Sequence, residues 1–258
     1  HGSMDAVAEF TRLVRSGEPL PLDRGALLIA AAAEPDTDVE RWLRALDGLA
    51  DGIDSLPALR RRLFVDIGLT GNRADYTDPR NSFLPHVLGR GLGIPISLAV
   101  VTIEVGRRAG IALEGVGMPG HFLVGIPGTG RYLDAFDGGT ELDAAGAEER
   151  WRALGGQGPF QVGYLDPVPT TAILARMLEN LRVSYRTRRR PADLERVLRM
   201  RLALGGELGH IVELADALGE QARWPEAAAL LRATPPDFPP EQRYALEMRA
   251  KSMLANLN

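Results

Sequence analysis

The sequence predicts an α+β core followed by an all-helical region, and three observations carry that expectation. Ser97 to Ala109 is the most apolar helical stretch of the chain, apolar on nearly all sides until Glu104, as expected for a helix buried at the centre of a domain. Three strand-like runs follow it: Ile111 to Gly117, His121 to Ile126 and Arg131 to Phe136. Gly128-Thr129-Gly130 supplies a hairpin turn between the last two. On either side of this block the apolar residues recur at helical spacing. A helix on a small antiparallel sheet, preceded by helices, is an α+β layout.

The first helix is read around Val7, Phe10, Leu13 and Val14. The second is Leu22 to Ala33, ending before Pro35. Thr37 or Asp38 can cap a third, with Val39, Trp42, Leu43, Leu46 and Leu49 on one face. Ser55 can cap a fourth, carrying Leu59, Leu63 and Phe64. Gly68 to Arg80 is punctuated by Gly, Asp and Pro. It reads first as a solvated connector, and second as the rim of a cleft. Asn81 is an N-cap candidate for a helix over Ser82 to Gly89; its amide is also an oxyanion-stabilising donor candidate. A short helix is expected near Asp143 to Leu154, then loops to Pro167 and Pro169, where a domain boundary is placed. Beyond Thr170 five amphipathic segments succeed one another. The expected division is residues 4–167 and 168–258.

Composition bounds the function. The 258 residues carry a net charge of −4 with both signs interspersed, which argues against general nucleic-acid binding. No apolar run approaches a membrane span and no secretory signal is visible, so a cytoplasmic location is expected. His1-Gly2-Ser3 ahead of Met4 reads as a leftover of expression and enters no site argument. The count of cysteines is zero, which removes disulfides and thiolate metal sites. His86, His121 and His210 lack metal-ligand spacing, and Gly89 to Gly93 lacks the Lys-Ser/Thr of a phosphate loop. No cofactor is expected.

Ser97, His121 and Asp134 occur in the order hydroxyl, imidazole, carboxylate, the parts of a nucleophile, base and orienter set. A serine at a helix N-terminus is equally a cap, and a histidine among apolar residues equally a hydrogen-bonded core residue. A carboxylate within an apolar strand requires a partner in either case.

These stretches also carry a resemblance. Gly93-Ile94-Pro95-Ile96-Ser97-Leu98, Pro119 to Val124 and Asp134-Ala135-Phe136 resemble the transglutaminase-like, papain-type superfamily. Gly71 to Tyr76 and Ile173 to Leu181 extend the likeness over most of the chain. The resemblance implies a Cys-His-Asp set, with Ser97 at the nucleophile position. It points to a bacterial branch with a tetratricopeptide-like helical tail, and Leu218 to Leu231 resembles a junction in such a tail. Two functions follow as expectations. One is acyl transfer or hydrolysis with Ser97 as nucleophile, His121 as base and Asp134 as orienter, on an amide, ester or thioester. The other is a non-enzymatic module that binds a peptide or protein through the cleft and the helical tail. Arg186, Arg188, Arg189 and Arg190 read as a solvated corner or an anion patch. Nothing in the sequence specifies the oligomeric state.

Overall fold

The computed structural model describes residues 2–233 and 237–258. Four helices lead the chain: α1 (Ser3–Arg15), α2 (Leu22–Ala33), α3 (Val39–Ala50) and α4 (Leu56–Arg61), the last continuing into a π-turn over Arg62–Asp66. Two of the expected caps form. Asp38 accepts from the Arg41 N–H at 3.1 Å and Ser55 from the Ala58 N–H at 3.2 Å, each satisfying an N-terminal donor that the helix leaves unpaired.

A short strand β1 (Thr70–Gly71), helix α5 (Leu84–Arg90) and a second short strand β2 (Leu92–Gly93) precede the central helix α6 (Pro95–Arg108). The two short strands pair in parallel. α6 starts two residues before the expected Ser97, because Pro95 occupies its first position, where a missing N–H and a fixed φ suit a helix start. Leu98, Ala99, Val100, Val101 and Val105 are fully buried. Glu104, where the apolar run breaks, is buried too. Its carboxylate accepts from the Asp23 N–H and from Arg107 Nε, both at 2.7 Å, and so ties α6 to the first turn of α2.

The sheet is wider than the three expected strands. β3 (Glu114–Val116), β4 (Leu123–Ile126) and β5 (Arg131–Asp134) form its middle. β6 (Thr140–Asp143) and β7 (Pro167–Val168) close its edges, giving the antiparallel order β6-β5-β4-β3-β7. Helix α7 (Ala144–Ala153) follows β6 and is capped by Asp143. Trp151 of α7 packs with Phe160 and Tyr164 in a small second core beneath Met118 and Leu123.

Among the described residues five further helices follow: α8 (Thr170–Thr187), α9 (Pro191–Ala203), α10 (Leu208–Glu220), α11 (Trp224–Arg232) and α12 (Pro240–Ala255). Each packs on the next, α8 packs on α2, and α1 packs on α9. One continuous hydrophobic core therefore runs from Phe10 through α6 to Met253. The residues at the expected boundary, Pro167 and Val168, are β7 itself, paired with β3. Among the described residues no helix is long and apolar enough to cross a membrane.

Candidate functional site

Ser97 is the third residue of α6 and completely buried. Its hydroxyl has one proton and two lone pairs. The proton is donated to the Asn81 carbonyl at 2.5 Å, and a lone pair accepts the Ile94 N–H at 3.1 Å. The side chain therefore reaches back to cap its own helix while pinning the chain before α5. No hydrogen bond joins Ser97 to His121. Gly93 makes room for this hydroxyl: a Cβ there would lie 2.8 Å from Ser97 Oγ.

His121 stands at the bend between β3 and β4, just before the strand expected to contain it, and Asp134 ends β5. The hairpin brings them together. His121 Nε2 lies 2.8 Å from Asp134 Oδ2, with Asp134 wholly buried and His121 nearly so. Asp134 has two further partners. The Phe136 N–H donates to Oδ1 at 3.1 Å, and the Arg150 guanidinium donates to Oδ2 while also bonding Asp137 at 3.0 Å. Burial pushes the Asp134 carboxyl up. The hydrogen bond from His121 and the charges of His121 and Arg150 outweigh burial and hold it below the usual carboxylate range. Arg150 was not legible beforehand. It lies on a polar, exposed helix, and only the general rule that a buried carboxylate needs partners pointed toward a cation.

Phe136 covers this pair. Its ring meets His121 edge-on, with centroids 5.9 Å apart, and meets Tyr76 edge-on at 5.8 Å. The Arg73 guanidinium stacks over it at 4.6 Å. The loop from Gly68 to Arg80 is solvated over Arg73 to Thr77 and also flanks the site, so both of its readings hold. Gly71 is where the loop backbone touches the ring; a Cβ there would come within 2.2 Å of Phe136. Gly71→Ala is expected to lower stability by about 1–3 kcal/mol through overpacking. It should also shift the His121 ring signals in an NMR spectrum. Unchanged signals would show that Phe136 and His121 are not coupled.

Asn81 lies next to the site but its amide is fully engaged. Both N–H bonds point into the loop, donating to the carbonyls of Asp75 at 2.8 Å and Tyr76 at 3.1 Å. Its oxygen accepts from Asn72 at 2.9 Å and Arg90 at 3.0 Å. It does not cap the following helix either: Phe83 is at that position and Asn81 belongs to a 3-10 turn over Pro79–Ser82, itself capped by Asp78. The amide instead holds the rim loop in shape.

Helix α8 anchors both sides of the site. Ser184 donates to the Thr77 carbonyl at 2.6 Å, and Arg188 pairs with Asp75 at 3.5 Å. Arg176 donates to the Met118 carbonyl at 2.8 Å, the same oxygen that accepts the His121 N–H at 3.1 Å. Three of the four clustered arginines are paired: Arg186 with Glu213, Arg188 with Asp75 and Arg190 with Asp193. His86 lies against Glu34 at 2.7 Å. Among the described residues no group of three or more His, Asp or Glu is placed to hold a metal ion.

The sequence profile of the transglutaminase-like superfamily matches residues 27–179, from α2 into α8. A UPF0162 protein of Xylella fastidiosa is 44% identical over 185 residues, 65% of this chain and 66% of that protein, so the match spans just under two thirds of the relative's length. A UPF0162 protein of Pseudomonas aeruginosa is 32% identical over 245 residues, covering 89% of this chain and 84% of the relative. The mouse F-box only protein 21 shares 36% identity over 97 residues, 34% of this chain and 16% of that much longer protein. No solved structure matches the chain. Over the α2-to-α8 segment that holds Ser97, His121 and Asp134, the chain belongs to the transglutaminase-like superfamily.

Proposed function

We propose that the chain is a catalytically silent transglutaminase-like protein that works by binding a peptide or protein segment. One observation carries the first half. Ser97 spends its proton on the Asn81 carbonyl and a lone pair on the Ile94 N–H, inside a site that leaves it no exposed surface. A serine nucleophile needs a base within hydrogen-bond reach. His121 bonds Asp134 through Nε2, and no hydrogen bond joins its ring to Ser97. The hydroxyl is thus occupied as a cap, and the His121–Asp134–Arg150 set serves stability. The rival reading, serine-dependent acyl transfer or hydrolysis, rests on the His121–Asp134 pair, whose geometry leaves Nδ1 of the imidazole for a second partner.

Binding is supported by the helical tail. A cavity of about 890 Å³ opens where the α8–α9 turn faces α10. Leu194, Leu208 and Val212 line it, with Arg189 on one side and Asp216 and Glu220 on the other. An apolar floor with rims of both signs suits a mixed-charge peptide.

A fluorophosphonate and an activated ester test the silent half. Neither is expected to label the wild-type protein above the level of Ser97→Ala. That variant should lose about 1–3 kcal/mol, since it strips partners from a buried carbonyl and a buried N–H. Labelling that vanishes in Ser97→Ala at unchanged melting temperature would establish the nucleophile reading instead. For the binding half, peptides of mixed charge followed by fluorescence anisotropy should yield saturable binders. Val212→Glu should abolish them and Ser97→Ala should leave them intact. A screen without any saturable binder would reject the module.

A further inference from the structure

A second cavity, of about 610 Å³, lies between α8, α9 and α10. Arg176 from α8, Arg201 from α9 and His210 from α10 line it, with Thr171, Asn180 and Glu179. Its lining sets two guanidinium groups against a single acid, Glu179. Glu179 gives both oxygens to Arg182, at 2.7 and 2.8 Å. Among the described residues neither Arg176 nor Arg201 has a carboxylate within ion-pair distance, and Arg201 Nη1 is buried with no acceptor. A buried guanidinium N–H left unpaired is costly, and native structures seldom keep one without a missing partner.

The other two donors are already oriented. Arg176 is held by the Met118 carbonyl at 2.8 Å and by the Phe122 ring at 5.4 Å, which leaves the rest of its fork for a ligand. His210 Nδ1 accepts the Glu207 N–H at 2.9 Å, so the neutral ring carries its proton on Nε2 and donates without being charged. Burial and the Arg201 charge push this imidazole below its ordinary pKa, and burial does the same to Arg176.

We propose that this cavity binds an oxyanion group, a phosphate or a carboxylate, held by Arg176, Arg201 and the Nε2–H of His210. Planar guanidinium forks match such groups bidentately. The site is separate from the His121–Asp134 pair, but Arg176 connects them, because the Met118 carbonyl it holds also accepts the His121 N–H. The proposal stands whether or not Ser97 is a nucleophile.

The test uses the full chain at pH 8 and constant ionic strength. Sodium phosphate and sodium succinate are titrated separately while the His210 ring signals are followed by NMR. Saturable shifts with a dissociation constant in the millimolar range are expected from at least one anion, and the stronger of the two identifies the group. Arg201→Gln should weaken binding about tenfold or more. It should change the melting temperature little without anion, because among the described residues this side chain makes no hydrogen bond or salt bridge. Arg176→Lys should weaken binding with the fold intact, and Arg44→Gln, an exposed arginine on α3, should leave anion binding unchanged. Absence of saturation with both anions up to about 50 mM, or equal affinity in Arg201→Gln, would overturn the site.

Discussion

Residues 4–167 expressed alone are expected to give a collapsed, aggregation-prone chain without a cooperative melt. Cutting there splits β7, removing Val168 from its place beside Gly115 of β3. It also removes α8, whose Ile173, Leu174, Met177, Leu178 and Leu181 are buried in the same core as Phe10, α2 and α6. Burying five such side chains contributes on the order of 10 kcal/mol, as much as the whole net stability of a typical domain, about 5–15 kcal/mol. The cut also leaves α1 without α9 and the rim loop without Ser184 and Arg188. Circular dichroism during heating, with a dye that reports exposed apolar surface, checks the prediction. A cooperative melt within a few degrees of the full chain would show that the two parts fold independently.

Much of this arrangement was legible in the sequence, because its signals are local and strong. The apolar run after Ser97 marks the central helix, and the Gly128–Gly130 turn marks the hairpin that carries His121 toward Asp134. What escaped carries no distinctive local pattern of its own. β6 reads Thr-Glu-Leu-Asp and stays largely exposed, and β7 begins with a proline. Edge strands of this kind show no alternation to detect. Arg150 on α7 looks like any solvated arginine until the fold places it on Asp134. Asn81 gives the same sequence signal as a cap, an oxyanion donor or a loop brace, and only its four bonds decide. The start of α6 was available: Pro95 is a first-turn signal, and it puts Ser97 at the third position, where a side chain bonds backward.

Asp134 should be the most sensitive single position of the site. Asp134→Ala leaves the Phe136 N–H and His121 without acceptors in the interior, whereas Arg150 is partly exposed and keeps Asp137. Only the first two losses are charged in full, so a cost of about 2–4 kcal/mol is expected at pH 7. The pH dependence has a definite sign. A carboxyl held below its unfolded value contributes stability that is fully present above the unfolded pKa, about 3.9. That contribution fades as pH falls through the depressed folded value. The gap between wild type and Asp134→Ala should therefore be constant above roughly pH 5 and shrink toward pH 3 as the wild-type carboxylate protonates. Urea titrations of both proteins at pH 7, 5 and 3 measure it. The companion His121→Ala separates a stabilising pair from a spectator: if His121 and Asp134 support each other, the double variant should cost less than the two single losses added. Additive losses would mean that the buried carboxylate is held by Arg150 and the backbone alone, and a gap that widens in acid would mean that its pKa is raised and not lowered.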